Sequence, residues 1–268
     1  MLLYLVRHAE TSLNDANRIH GSINEPLSPG GHSQAKKLAE HLRLVPFTEA
    51  YTSPLKRAEE TAKEVLKHQS KITLYVDERL RARNMGSAEG QIWEDVCKDL
   101  DKHKIEDEAS LKKRLCEWLD SLIKIHTPSA STSSTPALLS PTYPVIGNVA
   151  LNPFDLIKAL PRPGMPRTPS VPSGGGLGSG VILVLTHQEC LTALIDILTS
   201  SSVQETQSEP KSPIDLHVPE GFDFKSNIAN TSVAILRVWW EEGENGLEAR
   251  GRVEAWGVQE HLELMEEQ

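Results

Sequence analysis

Two short apolar runs in this chain each stop abruptly at a histidine. Leu2-Leu-Tyr-Leu-Val6 is followed by Arg7 and His8, and Val181-Ile-Leu-Val-Leu185 is followed by Thr186 and His187. Unbroken apolar runs of that length suit strands buried on both faces, the strands of which parallel sheets are made. In open α/β sheets, ligands bind just beyond the carboxyl ends of the strands. Two such strands would bring a guanidinium and two imidazoles to one rim. Alone, an Arg-His pair after a strand is no more than a solvated strand end; the repetition is what points to a site.

The rest of the chain alternates in the same manner. Glu10 to Asn24 is polar and reads as a loop. Ser28-Pro29 opens a helix, serine as the cap and proline in the first turn, with Ala35, Leu38, Ala39 and Leu42 on its apolar face. Phe47 to Thr52 reads as a strand ending at Ser53-Pro54, taken as a second cap. The helix that follows buries Leu55, Ala58, Ala62, Val65 and Leu66 and carries Arg57 in its first turn. Ile72 to Val76 is a third strand. Ile92 to Leu100 and Ser110 to Ile125 are helical in pattern, and Leu191, Leu194, Ile195 and Leu198 give a helix after His187. Thr231 to Trp240 and Leu247 to Trp256 alternate as a hairpin. Trp239, Trp240 and Trp256 read as packing at the sheet edge rather than as a sugar or base platform.

Two stretches break the pattern. Residues 127–180 are rich in Pro, Ser, Thr and Gly, and such composition buries too little apolar surface to offset its ordering entropy. They are expected to be a disordered insertion within one domain, 1–268, with a docking helix over Val149 to Leu160. The insertion is open to two readings, a docking segment for a protein partner or a tolerated surface loop. Residues 200–226 form a second polar insertion.

A formal net charge of −9 over 268 residues argues against nucleic acid or an anionic membrane as partner, so any site for an anion must be positive locally. Cys97, Cys116 and Cys190 form no CxxC pair, and a sparse, odd count favours a reducing compartment. No apolar run reaches membrane-spanning length; a cytoplasmic protein is expected. Cys190 is read as a small buried helix residue rather than a nucleophile. A zinc site on His8, His20 and His187 lacks the usual ligand spacing, so no metal is expected.

Leu5-Val-Arg7-His8-Ala9-Glu10-Thr11 resembles the opening motif of the histidine phosphatase superfamily, with Ala9 where the family has glycine. Pro26-Leu-Ser28, Gly31 and Gln34-Ala35, then Ser53-Pro-Leu-Lys-Arg57-Ala58 with Thr61-Ala62, then Val184-Leu-Thr186-His187, then Asn230-Thr-Ser232 follow in the family's order. The resemblance covers 1–126 and 181–256. It implies an α/β three-layer sandwich, a mostly parallel sheet with helices on both faces, as in phosphoglycerate mutase. It implies a phosphohistidine intermediate on His8, with Arg7 and Arg57 as rigid forks for the phosphoryl oxygens and His187 as a cationic clamp. Asn14, His20, Gly21 and Gln188 would line the phosphate, and no cofactor is implied. The Gly257-Val-Gln-Glu-His261-Leu262 ending is similar to the tail of fructose-2,6-bisphosphatase-like regulators.

Two departures matter. The family's general-acid glutamate falls at Ala82, and Gln188 stands where glycine is usual. Glu189, closest in sequence to His187, is the expected substitute acid, ahead of Glu78 and Glu108, while Glu89 is read as structural. The basic segment that mutases carry after the acid is not matched by Asp95 to Leu111. These features favour a phosphomonoester hydrolase acting on a small phosphorylated metabolite. An impaired member that binds a phosphorylated ligand or a partner is second, and a mutase third.

Overall fold

The computed structural model describes residues 1–69, 71–128, 180–200, 211–219, 224, 228–243 and 246–263. The apolar run at the start is strand β1 (Leu2–Arg7), and its counterpart is β4 (Val181–Thr186). They lie side by side and parallel, in a register that sets Leu2 opposite Val181 and Arg7 opposite Thr186. One residue on, the His8 amide donates to the Thr186 carbonyl at 3.0 Å. His8 and His187 therefore leave adjacent strands at the same height.

Among the described residues the sheet has seven strands in the order β3-β2-β4-β1-β6-β7-β5. The others are β2 (Glu49–Thr52), β3 (Leu74–Val76), β5 (Asp215–His217), β6 (Val233–Gly243) and β7 (Gly246–Val258). Of these strands β6 alone runs against the rest, pairing antiparallel with both β1 and β7. The hairpin of β6 and β7 is the one read from sequence.

Side-chain alternation along β1 explains the three layers. Leu3 and Leu5 pack with Leu115, Leu119 and Leu122 of α5 (Glu108–His126) and with Leu191 and Leu194 of α6 (Gln188–Ser200). Tyr4 and Val6 point the other way, onto Leu38 and Leu42 of α2 (Pro29–Leu42) and Ala58, Ala62 and Val65 of α3 (Lys56–Leu66). Helices thus cover both faces of a mostly parallel sheet.

Ser28 caps α2, accepting from the Gly31 amide, with Pro29 at the first position. Gly31 has no alternative there: a Cβ would lie 2.0 Å from the Glu10 carbonyl oxygen. The loop after His8 is thereby pressed against the start of α2. Within that loop, Ser12–Asp15 forms a single helical turn, α1, closed by a capping box between Thr11 and Asn14.

Three expectations are corrected. Ser53 is not the cap of α3, which starts at Lys56 with Leu55 at the N-cap and no side-chain cap. The helix expected over 92–100 shrinks to α4 (Trp93–Val96). Ile92, Trp93 and Leu100 are exposed and only Val96 is buried, so that segment has no apolar face to bury against the domain. Within the polar stretch 200–226, Asp215–His217 adds an edge strand to β7, with Ile214 and Leu216 buried beside Gly251. Residues 129–179, with the docking helix expected over Val149 to Leu160, lie outside the described residues.

Candidate active site

The two strand ends bring His8 and His187 together with ring centroids 5.1 Å apart, and His20 lies 6.1 Å from His8. The first turn of α3 adds Arg57 and the end of β1 adds Arg7. A positive cluster thus sits at the carboxyl rim of a sheet in a chain of net negative charge.

Hydrogen bonds define the state of His8. Nδ1 lies 2.7 Å from the Ala9 carbonyl, which can only accept, so Nδ1 carries the proton. Nε2 is then the free lone pair, and Arg57 Nε donates to it at 3.2 Å. Burial, then the charges of Arg57 and Arg7, hold the His8 pKa well below its ordinary value. The ring is neutral, with its unprotonated nitrogen turned toward a guanidinium.

Arg57 is fixed at all its corners. Nη1 donates to the Ile23 carbonyl at 2.7 Å and Nη2 to the Gly21 carbonyl at 3.0 Å. Gly21 sits at φ +53°, and a Cβ there would lie 2.3 Å from Glu89 Oε1. Glu89 in turn accepts from the Ser22 and Met85 amides, the structural role expected of it. Burial lowers the Arg57 pKa to about 10, with the charge of Glu189 opposing the shift; the group stays cationic.

Arg7 Nη1 donates to Gln188 Oε1 at 2.8 Å and to the Ile228 carbonyl at 2.5 Å, while its buried Nε has no partner. His187 Nε2 lies 2.7 Å from Ser53 Oγ, and its buried Nδ1 is also unpartnered. Two polar atoms left unsatisfied beside His8 suit an incoming anion, since buried polar groups otherwise find partners. In the ligand-free site, burial, Arg57 and His8 hold the His187 pKa well below its ordinary value. The imidazole expected as a cationic clamp is therefore neutral in the ligand-free site.

The remaining expected residues fall around this centre. His20 Nε2 lies 2.5 Å from Thr11 Oγ1, and burial followed by Arg57 and Arg7 lowers its pKa to about 4. Asn14 stands one step back: its Oδ1 accepts from Asn230 Nδ2 at 3.4 Å, and that amide also donates to the His8 carbonyl at 3.0 Å. Glu189, half-buried in the first turn of α6, acts electrostatically on both Arg7 and Arg57. Ala82 is fully buried, its carbonyl held by Arg114. Cys190 is buried and its thiol is pushed up to about 12, an inert position for a nucleophile. Among the described residues, no three His, Cys, Asp or Glu side chains are grouped to hold a metal ion, and no helix is long and apolar enough to cross a membrane.

Sequence reasoning missed several supports. Ser53, taken for a helix cap, partners His187. Thr61 Oγ1 accepts from the Ala9 amide at 3.0 Å and donates to the Arg57 carbonyl at 2.6 Å, tying the two motifs together. Glu25 has a buried, unpartnered Oε2 and acts electrostatically on Arg57. Only its position just before Pro26-Leu-Ser28 hinted at a place near the rim.

An α/β sandwich gathers two histidines and two arginines at the carboxyl rim of its sheet, a locally positive site. Residues 3–127 match the histidine phosphatase superfamily (branch 1). Residues 3–127 thus carry the superfamily's match, and the fold of the chain agrees with it. The chain is 34% identical over 97 residues to phosphoglycerate mutase-like protein 4 of Arabidopsis thaliana, covering 36% of this chain and 42% of that protein. Against a probable phosphoglycerate mutase of Yersinia pestis the identity is 39% over 89 residues, covering 33% and 41%. The chain thus spans about two-fifths of the length of the curated relatives it matches. Among solved structures, phosphoglycerate mutase from Bacillus anthracis aligns at TM-score 0.59 with 22% identity, covering 98% of this chain and 95% of that one. A mycobacterial glucosyl-3-phosphoglycerate phosphatase in complex with VO3 aligns at TM-score 0.61 with 18% identity, covering 96% and 99%. At these identities the structural likeness is one of fold.

Proposed function

We propose that this protein hydrolyses small phosphomonoesters through a phosphohistidine on His8. The observation that carries the reading is the pairing of a neutral, tautomerically fixed His8 with Arg57 at its free nitrogen, beside the unsatisfied Nε of Arg7 and Nδ1 of His187. Phosphoryl transfer is mainly positioning and charge neutralisation, and a fixed imidazole beside two guanidiniums supports that reading.

His8 Nε2 attacks phosphorus, the P–O ester bond breaks, and the leaving oxygen takes a proton. Water then attacks the phosphohistidine, the P–N bond breaks, and phosphate departs from a neutral imidazole. Arg7 and Arg57 hold the peripheral oxygens. His187 takes up a proton as the dianion neutralises the field of the arginines, and becomes the clamp. Glu189, near enough to act on both arginines, is assigned as the donor: its carboxylic acid form gives the leaving oxygen a proton and regains one from the water that attacks the phosphohistidine. No cofactor enters the sequence. The free, buried thiols of Cys116 and Cys190 fit a cytoplasmic location.

The absence of a carboxylate at Ala82 favours a second reading, an impaired member that binds a phosphorylated ligand or partner. The test pairs an aryl phosphate, whose phenolate leaves without help, with an alkyl sugar phosphate. Hydrolysis that disappears in His8→Ala supports the phosphatase. Folded protein that binds phosphate but cleaves neither ester supports the binding role. A product assay for phosphoryl migration within the alkyl ester tests a mutase.

A further inference from the structure

The C-terminal tail motif has no part in the chemistry above, yet its side chains reach toward the site. Helix α7 (Glu260–Glu263) packs on α2, and the ring of His261 is buried 5.7 Å from that of His41. His261 Nε2 lies 2.9 Å from Thr231 Oγ1. The Thr231 hydroxyl already donates to the Asn230 carbonyl at 2.7 Å, so Oγ1 accepts and His261 Nε2–H donates. Gln259 Nε2 donates to the same Asn230 carbonyl at 2.8 Å. Two side chains of the tail thus grip one turn.

That turn is held in an unusual conformation. Thr231 has φ +61°, in the left-handed region, which a β-branched residue adopts only when its surroundings impose it. What the conformation achieves is a grip on β1 beyond its last ladder pair. The Thr231 amide donates to the Arg7 carbonyl at 3.2 Å and to the His8 carbonyl at 3.4 Å. Asn230 Nδ2 donates to the His8 carbonyl at 3.0 Å. The other end of the same peptide group, the Ala9 amide, is bonded to Thr61. The plane of the peptide after His8 is therefore fixed from both sides, and Ala9, which follows, supplies the carbonyl that orients the His8 ring.

We propose that His261, assisted by Gln259, is a positioning residue for His8: it holds the Asn230–Thr231 turn in its left-handed form, and the turn aims His8 Nε2. The proposal rests on His8 being the nucleophile, and it deepens the phosphatase reading. The groups around His261 fit a fixed donor rather than a charged partner. Thr231 accepts its Nε2–H, and His41 and Lys37 of α2 face it with burial as neighbours that disfavour a second proton.

The test compares wild type, His261→Ala and His261→Gln by two readouts. One is the NMR resonance of the His8 ring in histidine-labelled protein, identified by its loss in His8→Gln. The other is kcat and KM on an aryl phosphate. A small misplacement of a reacting group costs up to about a hundredfold in rate. His261→Ala is expected to displace the His8 resonance and lower kcat about tenfold, with KM within about twofold. His261→Gln, which keeps a donor for Thr231, is expected to restore both. A folded His261→Ala with an unmoved His8 resonance overturns the proposal, as does equal loss in the Gln variant. If His261→Ala does not fold, Gln259→Leu takes its place under the same criteria. If wild type shows no His8-dependent turnover, the phosphatase reading fails, while the His8 resonance still decides the positioning role.

Discussion

Arg57 Nε stands 3.2 Å from His8 Nε2 and donates to it. The same guanidinium is anchored on the carbonyls of Gly21 and Ile23, so its plane is set before any ligand arrives. A lysine retains the charge but not the fork. Arg57→Lys is therefore expected to lower kcat on an aryl phosphate by about 10²–10³, the range for loss of one preorganised donor. Arg57→Lys with wild-type kcat would show that charge alone suffices at this position.

His187 is neutral in the empty site because burial, Arg57 and His8 all disfavour its proton. A bound dianion offsets the arginines and gives the unpartnered Nδ1 an acceptor. The folded-state pKa is expected to rise on binding, with uptake of a proton. Calorimetric titration with sulfate, a dianion with no ionisation of its own near neutral pH, in buffers of different ionisation enthalpy reads this directly. Uptake is expected in wild type and is lost in His187→Gln. Release of a proton, or uptake unchanged in His187→Gln, would assign the linkage to another group.

Much of this site was legible in the sequence because the strand periodicity and the site chemistry meet at the same residues. Leu2–Val6 and Val181–Leu185 are apolar because both sheet faces are covered, and the first polar residues after them must lie at the rim. Arg57 was legible for a similar reason, as the start of a strongly amphipathic helix. Ser53 was not, because Ser-Pro before a helix is what a cap looks like, and only tertiary structure turns its hydroxyl toward His187. Asn230 and Thr231 were legible as a motif but not as a clamp, since nothing local announces that a threonine takes φ +61°. The helix expected over 92–100 failed because its apolar residues meet no partner, a fact of packing rather than of spacing.

Arg114 of α5 holds the loop after β3. Its guanidinium donates to the carbonyls of Arg79, Arg81 and Ala82 and to both oxygens of Glu106. Burial alone would raise the Glu106 pKa, but hydrogen bonds from Arg114 and the Asn84 amide outweigh it and hold the carboxyl below its ordinary range. Both side chains are about nine-tenths buried, at 12% and 9% exposure. Removing one partner of a buried pair costs about 3–5 kcal/mol. Arg114→Ala is expected to lower the unfolding free energy measured in urea by an amount of that order. A shift under about 1 kcal/mol would mean that solvent replaces the guanidinium without loss.

Four buried or half-buried histidines set the acid limit of stability. His20 and His261 are lowered to about 4 from an ordinary value of 6.5, and His8 and His187 lie well below that value as well. A depressed folded-state pKa means that the unfolded chain binds protons which the folded chain refuses. The contribution is complete above about 6.5 and is lost progressively as pH falls toward 4. The melting temperature is expected to drop steadily from pH 7 to pH 5, and the slope should shallow in His20→Gln. A flat profile over that range would show that these rings are protonated in the folded protein.

The proton for the leaving group is the last question the geometry poses. Ala82 supplies none, and general acids contribute about 10²–10⁴-fold. Two carboxylates act on Arg57, Glu189 ahead of Glu25, and only Glu189 also acts on Arg7 among the causes that shift those arginines. Glu25, though, keeps a buried oxygen without a partner. Glu189→Gln is expected to slow alkyl ester hydrolysis by about 10²-fold or more and to leave an aryl ester within a few-fold, because a phenolate needs no proton. Glu25→Gln is expected to leave the ratio of the two substrates unchanged. Introducing a carboxylate with Ala82→Glu should then raise alkyl turnover in the Glu189→Gln background. If Glu25→Gln collapses the alkyl rate instead, the proton comes from the Arg57 side of the site rather than from α6. If neither substitution changes the substrate ratio, the enzyme works without an acid and its substrates must carry good leaving groups of their own.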